Sequence, residues 1–174
     1  MLIGSPGTLT GARVLEIGCG RGVGIEILLA LGATHVVWFD LDPKMIALAQ
    51  KRTARYGNRV QVFVGDAEKV DLPDASFDVV VDFGILHHVP GWKKALGEIT
   101  RLLKPGGCFY FEDIFKKFTH SLLVRALTDH PLDTQFTGEE FRMAMEQAGM
   151  TVIKWRQMGD WVVIGRSVKA NGQF

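Results

Sequence analysis

The fold of this chain is decided by the stretch Val14-Leu15-Glu16-Ile17-Gly18-Cys19-Gly20-Arg21-Gly22-Val23-Gly24, in which four alternating glycines directly follow an apolar, β-prone segment. Glycine adopts positive φ angles and lacks a Cβ atom, so the pattern predicts a strand that ends in a tight turn with an approachable backbone. An amphipathic segment follows, and the first N–H groups of its helix would face a ligand above the strand. The stretch therefore predicts a nucleotide or nucleoside site.

Composition narrows the class of protein. The length of 174 residues fits a single domain, 1–174, with a short N-terminal extension, 1–11. The formal net charge is +1 and the basic residues are dispersed, which argues against nucleic acid as a partner. Two cysteines, Cys19 and Cys108, form no disulfide framework and no zinc spacing, which suits a cytoplasmic protein. No apolar run has membrane-spanning length, and no metal site is expected.

Strand-like and helical segments alternate along the chain, which predicts a parallel α/β sheet. Helix signals are the N-cap pair Asp42-Pro43 and the capping box formed by Thr137 and Glu140. The rhythm then changes, because Thr151–Trp155 and Trp161–Ile164 are separated by too few residues for a helix and should pair antiparallel. The predicted parallel strands are Arg13–Ile17, His35–Leu41, Val60–Val64, Phe77–Phe83 and Cys108–Ile114.

Two interpretations of the glycine turn compete. A dinucleotide fingerprint requires a small third residue after Gly18-Cys19-Gly20, but Val23 occupies that position. The observed spacing places glycines at 18, 20 and 22 behind Glu16. An NAD(P)-linked oxidoreductase is therefore the less favoured alternative.

Three companions of the turn point to one ligand. Asp40 ends the second strand, where an acid can accept hydrogen bonds from ribose hydroxyls. Asp66 follows the third strand, where a carboxylate could accept from the exocyclic amine of adenine. The fourth strand ends in the small-residue turn Asp82–Val89. Because ligands of open α/β sheets bind at the carboxyl ends of the strands, these residues should meet in one crevice.

The ordered motifs resemble those of class I S-adenosylmethionine-dependent methyltransferases, most closely the small-molecule branch. The resemblance extends over about residues 12–168 and implies a Rossmann-like sheet with strand order 3-2-1-4-5-7-6. It implies S-adenosylmethionine as cofactor and a small-molecule acceptor. The motifs that carry it are Val-Leu-Glu-Ile-Gly-Cys-Gly-Arg-Gly, Phe-Asp-Leu-Asp-Pro, Gly-Asp-Ala, Phe-Asp-Val-Val-Val with Leu-His-His-Val, and Leu-Lys-Pro-Gly-Gly.

The resemblance also implies roles for individual residues. Glu16 would neutralise the methionine ammonium, and Asp40 would hold the ribose hydroxyls with Leu41 against the adenine. Asp66 would accept from adenine N6, while the Ala67 backbone would meet adenine N1. The residues expected beneath or beside the methionine and ribose portions are Gly18, Cys19, Gly20, Gly22, Phe83 and Gly84.

Candidate catalytic residues follow from the chemistry of methyl transfer, in which a protein positions the acceptor and can remove its proton. His87 and His88 lie after the fourth strand and have a suitable reference pKa, so either is a candidate general base. An architectural role for the pair is the alternative. Glu112 and Asp113 should point to opposite faces of the fifth strand, so at most one of them would face the substrate.

The acceptor side of the site departs from the resemblance. Members of the family usually carry helices ahead of the glycine strand, whereas about a dozen residues precede Val14 here and the segment 5–11 has loop character. A homodimer, a partner chain, a large acceptor or ordering of the N-terminus on binding could then supply the cover. A non-catalytic or partner-activating subunit that binds S-adenosylmethionine is accordingly a further alternative, and Phe115–Phe136 could form a lid or pack on the core.

Overall fold

A computed structural model describes residues 3–18, 22–116 and 135–171. Within them lies a seven-stranded sheet with the order β3-β2-β1-β4-β5-β7-β6, which confirms the predicted strand order. The pairs among β1 to β5 are parallel, whereas β7 runs antiparallel to both β5 and β6. The strands are β1 (Arg13–Ile17), β2 (His35–Asp40), β3 (Val60–Val64), β4 (Phe77–Phe83), β5 (Leu103–Ile114), β6 (Met150–Met158) and β7 (Val162–Lys169).

The helices begin where the sequence predicts caps. The Asp42 side chain accepts a hydrogen bond from the Lys44 N–H at 2.8 Å, and Thr137 and Glu140 form the reciprocal capping box. No helix in the described ranges is both long and apolar enough to cross a membrane. The helices are α1 (Val23–Ala30), α2 (Pro43–Thr53), α3 (Trp92–Leu102) and α4 (Gly138–Gln147), with 3-10 segments at Ala54–Arg59 and Leu86–His88.

The sheet is covered on both faces because side chains along each strand alternate in direction. On one face, Leu15 and Ile17 pack in a core that includes α3, α4 and an aromatic group around Phe111 and Phe141. On the other face, Val14 packs with α1 and α2. The sheet edge that carries the carboxyl ends of β1 to β5 is thereby held between two rigid layers.

Strand boundaries differ from the prediction in the C-terminal half. β5 begins at Leu103 instead of Cys108, because Leu103 already pairs with Phe77 before an irregularity brings Cys108 opposite Val79. The Lys104–Gly107 segment therefore ends α3, as predicted, but lies within β5. Trp161 belongs to the turn between β6 and β7, and not to a strand.

The described residues ahead of β1 pack at the far end of α1 from the glycine turn. The N–H groups of Gly7 and Leu9 donate to the Leu31 carbonyl at 3.0 and 3.1 Å, and Ile3 and Leu9 are buried. Since α1 has eight residues, this contact lies about 12 Å along the helix from its first turn. Residues 3–11 consequently leave the glycine-turn edge of the sheet open.

We predict that Thr137→Ala lowers the free energy of unfolding by about 1 kcal/mol, because α4 loses its capping box. Urea unfolding at pH 7 would measure the change. Gln147→Ala is the matched control, since it alters the exposed last turn of the same helix and should change stability by less than about 0.5 kcal/mol. Equal effects of the two substitutions would contradict the importance of the cap.

Candidate active site

The carboxyl ends of β1 to β4 form a crevice whose floor is Gly18. This glycine has a φ of 50°, and a Cβ atom added to it would collide with the Ile85 side chain. Gly22, at the N-cap of α1, has a φ of 85°. Both positions therefore require glycine. Cys19 and Gly20 lie outside the described residues.

Gly18 and Ile85 divide the crevice into two hollows. The α1 hollow, about 330 Å³ in volume, has Glu16, Gly24 and Phe83 in its lining. The Asp40 hollow, about 150 Å³ in volume, lies towards β2 and β3. Predicted residues that line the Asp40 hollow are Asp40, Leu41, Asp66, Ala67 and His88.

The Glu16 carboxyl is buried beneath the first turn of α1. Its side chain lies so close to Gly24 that a Cβ atom there would collide with the carboxyl oxygens. The residue is 2% exposed, and Oε2 has no hydrogen-bond partner within the described part of the chain. Burial and, secondarily, the negative charge of Asp82 raise the pKa of Glu16 to about 8. An unsatisfied buried carboxyl that lines a hollow is suited to a cationic ligand group.

Asp40 and Asp66 are oriented by their own turns at the rim of the Asp40 hollow. Asp40 Oδ1 accepts from the Asp42 N–H at 2.9 Å, and Asp66 Oδ1 accepts from the Glu68 N–H at 2.9 Å. The Gly65 N–H donates to the Asp40 carbonyl at 3.0 Å and ties the two strand ends together. Each aspartate therefore stabilises its own turn and also lies where a ribose or a base could reach it.

The remaining predicted contacts lie at the mouth of the crevice. Leu41 is 71% exposed and offers an apolar surface above the Asp40 hollow. Phe83 is half-buried and ends β4, and Gly84 follows it with a φ of 78°. The backbone at Phe83 and Gly84 thus turns away from the sheet beside the α1 hollow.

The two histidines occupy different environments although their rings are only 4.1 Å apart between centroids. His88 is exposed and lines the Asp40 hollow. His87 is 3% exposed, and its Nδ1 lies 2.6 Å from Asp113 Oδ1. Burial lowers the pKa of His87 to about 4, so the ring is neutral at neutral pH. The predicted alternation of β5 is confirmed, because Asp113 is buried whereas Glu112 is exposed.

The sequence interpretation missed three contributors to this geometry. Ile85 separates the hollows, Gly24 admits the Glu16 carboxyl, and Asp82 places a second buried acid beside it. The helix–strand contact for which a dinucleotide fingerprint reserves its third glycine falls at Gly24, one residue after Val23. Asp82 had a signal in the sequence, since it interrupts the apolar run of β4 with a carboxyl.

The segment Phe115–Phe136 is described only at its ends. Phe115 and Phe136 are buried in the aromatic core, and the Lys116 N–H donates to the Phe136 carbonyl at 3.1 Å. These ends pack on the core and do not cover the crevice. The predicted lid residues between them, 117–134, lie outside the described residues.

The hollows together suit a ligand with a cationic end and a nucleoside end. In the described lining of both, the acidic side chains are Glu16, Asp40 and Asp66, and neither lysine nor arginine is present there. Such a lining would repel a pyrophosphate group and attract an ammonium or sulfonium group.

Comparison with known proteins identifies the family of this chain. Residues 15–111 match the family model described as a methyltransferase domain. A phthiotriol/phenolphthiotriol dimycocerosates methyltransferase from Mycobacterium leprae is 37% identical over 107 residues, which cover 61% of this chain and 39% of that protein. A ubiquinone biosynthesis O-methyltransferase from Aromatoleum aromaticum is 35% identical over 111 residues, 63% of this chain and 47% of the relative. This chain thus corresponds to less than half the length of either relative.

Similarity in fold covers more of this chain than the sequence matches do. A chain in the complex between the Haloferax volcanii Trm112 methyltransferase activator and a methyltransferase superposes with a TM-score of 0.79. The match covers 95% of this chain and 85% of that one, at 21% identity. At this level of identity the likeness concerns the fold alone.

We predict that Glu16→Gln makes the protein more stable than wild type, by a margin that grows with pH. Unfolded Glu16 would lose its proton near the ordinary pKa of 4.5, whereas the folded protein holds that proton up to about pH 8. The stabilising effect of the raised pKa is therefore complete below pH 4.5 and is lost between these two values.

Urea unfolding at pH 5, 7 and 9 would measure this margin, which we expect to reach a few kcal/mol at pH 9. Glu112→Gln, an exposed glutamate on β5, is the control and should show no comparable trend. A margin for Glu16→Gln that does not change with pH would contradict the buried, protonated carboxyl.

Proposed function

This chain belongs to the methyltransferase domain family, and we propose that it transfers the methyl group of S-adenosylmethionine to a small-molecule acceptor. The observation that carries the proposal is the pairing of the buried Glu16 carboxyl in one hollow with Asp40 and Asp66 in the other. The proposal takes residues 1–174 as one domain in the cytoplasm, in keeping with two cysteines that suggest no disulfide framework.

The residues of the crevice suit the parts of the ligand one by one. Glu16 would face the ammonium of the methionine portion, with the backbone of Phe83 and Gly84 beside it. Asp40 would accept from the ribose hydroxyls beneath Leu41. In the same hollow, Asp66 would accept from adenine N6 and the Ala67 backbone would meet N1, while Gly18, Gly22, Cys19 and Gly20 would form the turn under the ligand.

In methyl transfer from a sulfonium group, the main contribution of the protein is to position the reactants. When bound, S-adenosylmethionine supplies a methyl group on a positively charged sulfur, which is already an activated leaving group. The protein has to hold the acceptor in line with that methyl group and exclude competing water. Where the acceptor carries a proton, a base accepts it. His87 and His88 are the candidates: His88 is exposed and lines the Asp40 hollow, whereas His87 is buried with its Nδ1 on Asp113.

A second candidate function is a subunit that binds the cofactor and acts only with a partner chain. Val23 and Ile27 line the α1 hollow and are 52% and 39% exposed, while residues 3–11 pack elsewhere. A homodimer or another chain could cover this apolar rim. Turnover restricted to the complex would favour this candidate over an independent enzyme. An NAD(P)-linked oxidoreductase stays the least favoured alternative.

We predict that Asp40→Asn weakens binding of S-adenosylhomocysteine by about 10- to 100-fold, because a charged acceptor of hydrogen bonds to the ribose is lost. Isothermal titration calorimetry would measure the dissociation constant. Asp42→Asn is the matched control: it lies two residues away and keeps a good N-cap for α2, so its affinity should equal that of wild type.

The same titration distinguishes S-adenosylmethionine from a nicotinamide cofactor. Binding of NADH and not of S-adenosylhomocysteine to the wild-type protein would overturn the proposed cofactor. Equal affinities of Asp40→Asn and wild type would overturn the assigned ribose contact. A screen of candidate acceptors for S-adenosylhomocysteine release, with and without a partner chain, would then test catalysis itself.

We further predict that binding of S-adenosylhomocysteine at pH 7 releases about one proton per site. The Glu16 carboxyl holds its proton at this pH because its pKa is about 8, and the arriving ammonium would favour the ionised form. Calorimetry in buffers of different ionisation enthalpy measures the proton. Glu16→Gln should abolish the release, and an unchanged release in that variant would contradict the assignment.

A further inference from the structure

A buried carboxyl pair lies next to the candidate base. Asp82 is the second-last residue of β4 and Asp113 the second-last residue of the neighbouring strand β5, with both side chains fully or almost fully buried. They point to the same face of the sheet, since Asp82 follows Val80 by two residues and Asp113 follows Phe111 by two. His87 Nδ1 lies 2.6 Å from Asp113 Oδ1, and the side chains of this pair are 4% and 0% exposed.

Asp82 and Asp113 together hold the His87 ring and the turn that carries it. Asp82 Oδ1 accepts from the Ile85 N–H at 2.9 Å and so anchors the 3-10 segment Leu86–His88. Asp113 Oδ1 accepts from the Ile114 N–H at 2.6 Å, which orients its carboxyl towards the ring. Position and orientation of His87 are thus set by two acids from two strands.

Two buried carboxyls at this spot are costly unless they share a proton. Burial and, secondarily, the negative charge of Asp113 raise the pKa of Asp82 well above its ordinary value, and burial raises the pKa of Asp113 to about 7. The Oδ2 atoms of both residues have no hydrogen-bond donor within the described part of the chain. A proton between the two carboxyls would supply the donor that both oxygens lack, as in other carboxylate dyads.

We propose that Asp82 and Asp113 share one proton and that Asp113 is the positioning residue that holds His87 as its Nδ1–H tautomer. The functional part of this inference rests on the proposed methyltransferase activity. Nε2 of that tautomer carries the lone pair. As a lone pair of the acceptor forms the new bond to the methyl carbon, the methyl–sulfur bond breaks and its electrons neutralise the sulfonium. Where His87 is the base, the acceptor's proton moves to Nε2, and the imidazolium then lies beside the single negative charge of the Asp82–Asp113 pair.

Further titratable groups of the described residues act on Asp82 and His87. Glu16 acts on Asp82 from the end of β1, and His88 contacts His87 from the same turn. Glu112 points to the opposite face of β5. Glu16, Asp82 and Asp113 thus lie near the carboxyl ends of the adjacent strands β1, β4 and β5, and His87 lies in the turn that follows β4.

The experiment is a long-range 1H–15N correlation spectrum of the imidazole rings in uniformly 15N-labelled wild-type protein at pH 7. We expect the His87 signal to show a protonated Nδ1 and an unprotonated Nε2. His87→Gln identifies the signal among the five histidines. A wild-type His87 that carries its proton on Nε2 overturns the proposal, and this measurement does not depend on the folding of any variant of the acid pair.

Variants of the pair separate positioning from packing. Asp113→Asn should lose the single tautomer and give a mixture, whereas Asp82→Asn should retain it because the His87–Asp113 contact is intact. Glu112→Gln is the control next to Asp113 and should leave the spectrum unchanged. Carboxyl 13C shifts of the wild type at pH 8, above the pKa of about 7 for Asp113, should show one protonated aspartate in the pair, and either two ionised or two protonated carboxyls would overturn the shared proton.

Cofactor binding distinguishes this inference from the proposed function. Asp113→Asn should bind S-adenosylhomocysteine within about threefold of wild type, because Asp113 is absent from the lining of both hollows. Failure of wild-type protein to bind S-adenosylhomocysteine would overturn the proposed function and leave the tautomer result standing. Normal binding together with the wrong tautomer would overturn only the positioning role.

Discussion

The burial of the Glu16 carboxyl beneath the first turn of α1 is the constraint on which the rest of the crevice depends. The contact is feasible only because residue 24 is glycine, and it brings the first turn of α1 close to the end of β1. An unsatisfied buried acid costs free energy that packing elsewhere has to offset. The two apolar cores on either face of the sheet supply that stability.

The same cost recurs along the sheet edge, where Glu16, Asp82 and Asp113 occupy the ends of the adjacent strands β1, β4 and β5. Apolar or neutral side chains at these positions would make the folded protein more stable. Their concentration at the carboxyl ends, where open α/β sheets bind their ligands, connects them with binding and chemistry. Strained or costly groups of this kind are expected where function competes with stability.

Much of this architecture could be predicted from local sequence. The alternating apolar segments, the Asp42 and Thr137 caps and the short link before β7 each indicate an element by a local rule, and the strand order follows from the resemblance. The early start of β5 could not be predicted in this way, because Leu103 is extended by pairing with a residue that is distant in sequence. Tertiary contacts override local signals at such positions.

The candidate site was predictable in its residues but not in its interactions. The sequence identifies Asp40, Asp66 and Glu16 as acids at strand ends, and all three line the crevice. It presents His87 and His88 as equivalent neighbours, whereas the fold buries one and exposes the other. Which side chains come into contact depends on the register between strands. Asp113 and His87 are 26 positions apart, so no local sequence pattern predicts their contact.

The partition made by Ile85 has a consequence for how this crevice could discriminate between ligands. Because the side chain lies against Gly18 between the two hollows, a ligand has to arch over it to occupy both. Either half of such a molecule would bind weakly alone. The linked molecule gains the binding free energy of both halves and loses its translational freedom only once. Abundant cellular nucleosides would then be weak competitors, since selection rests on the span between a base and an amino group as much as on either group.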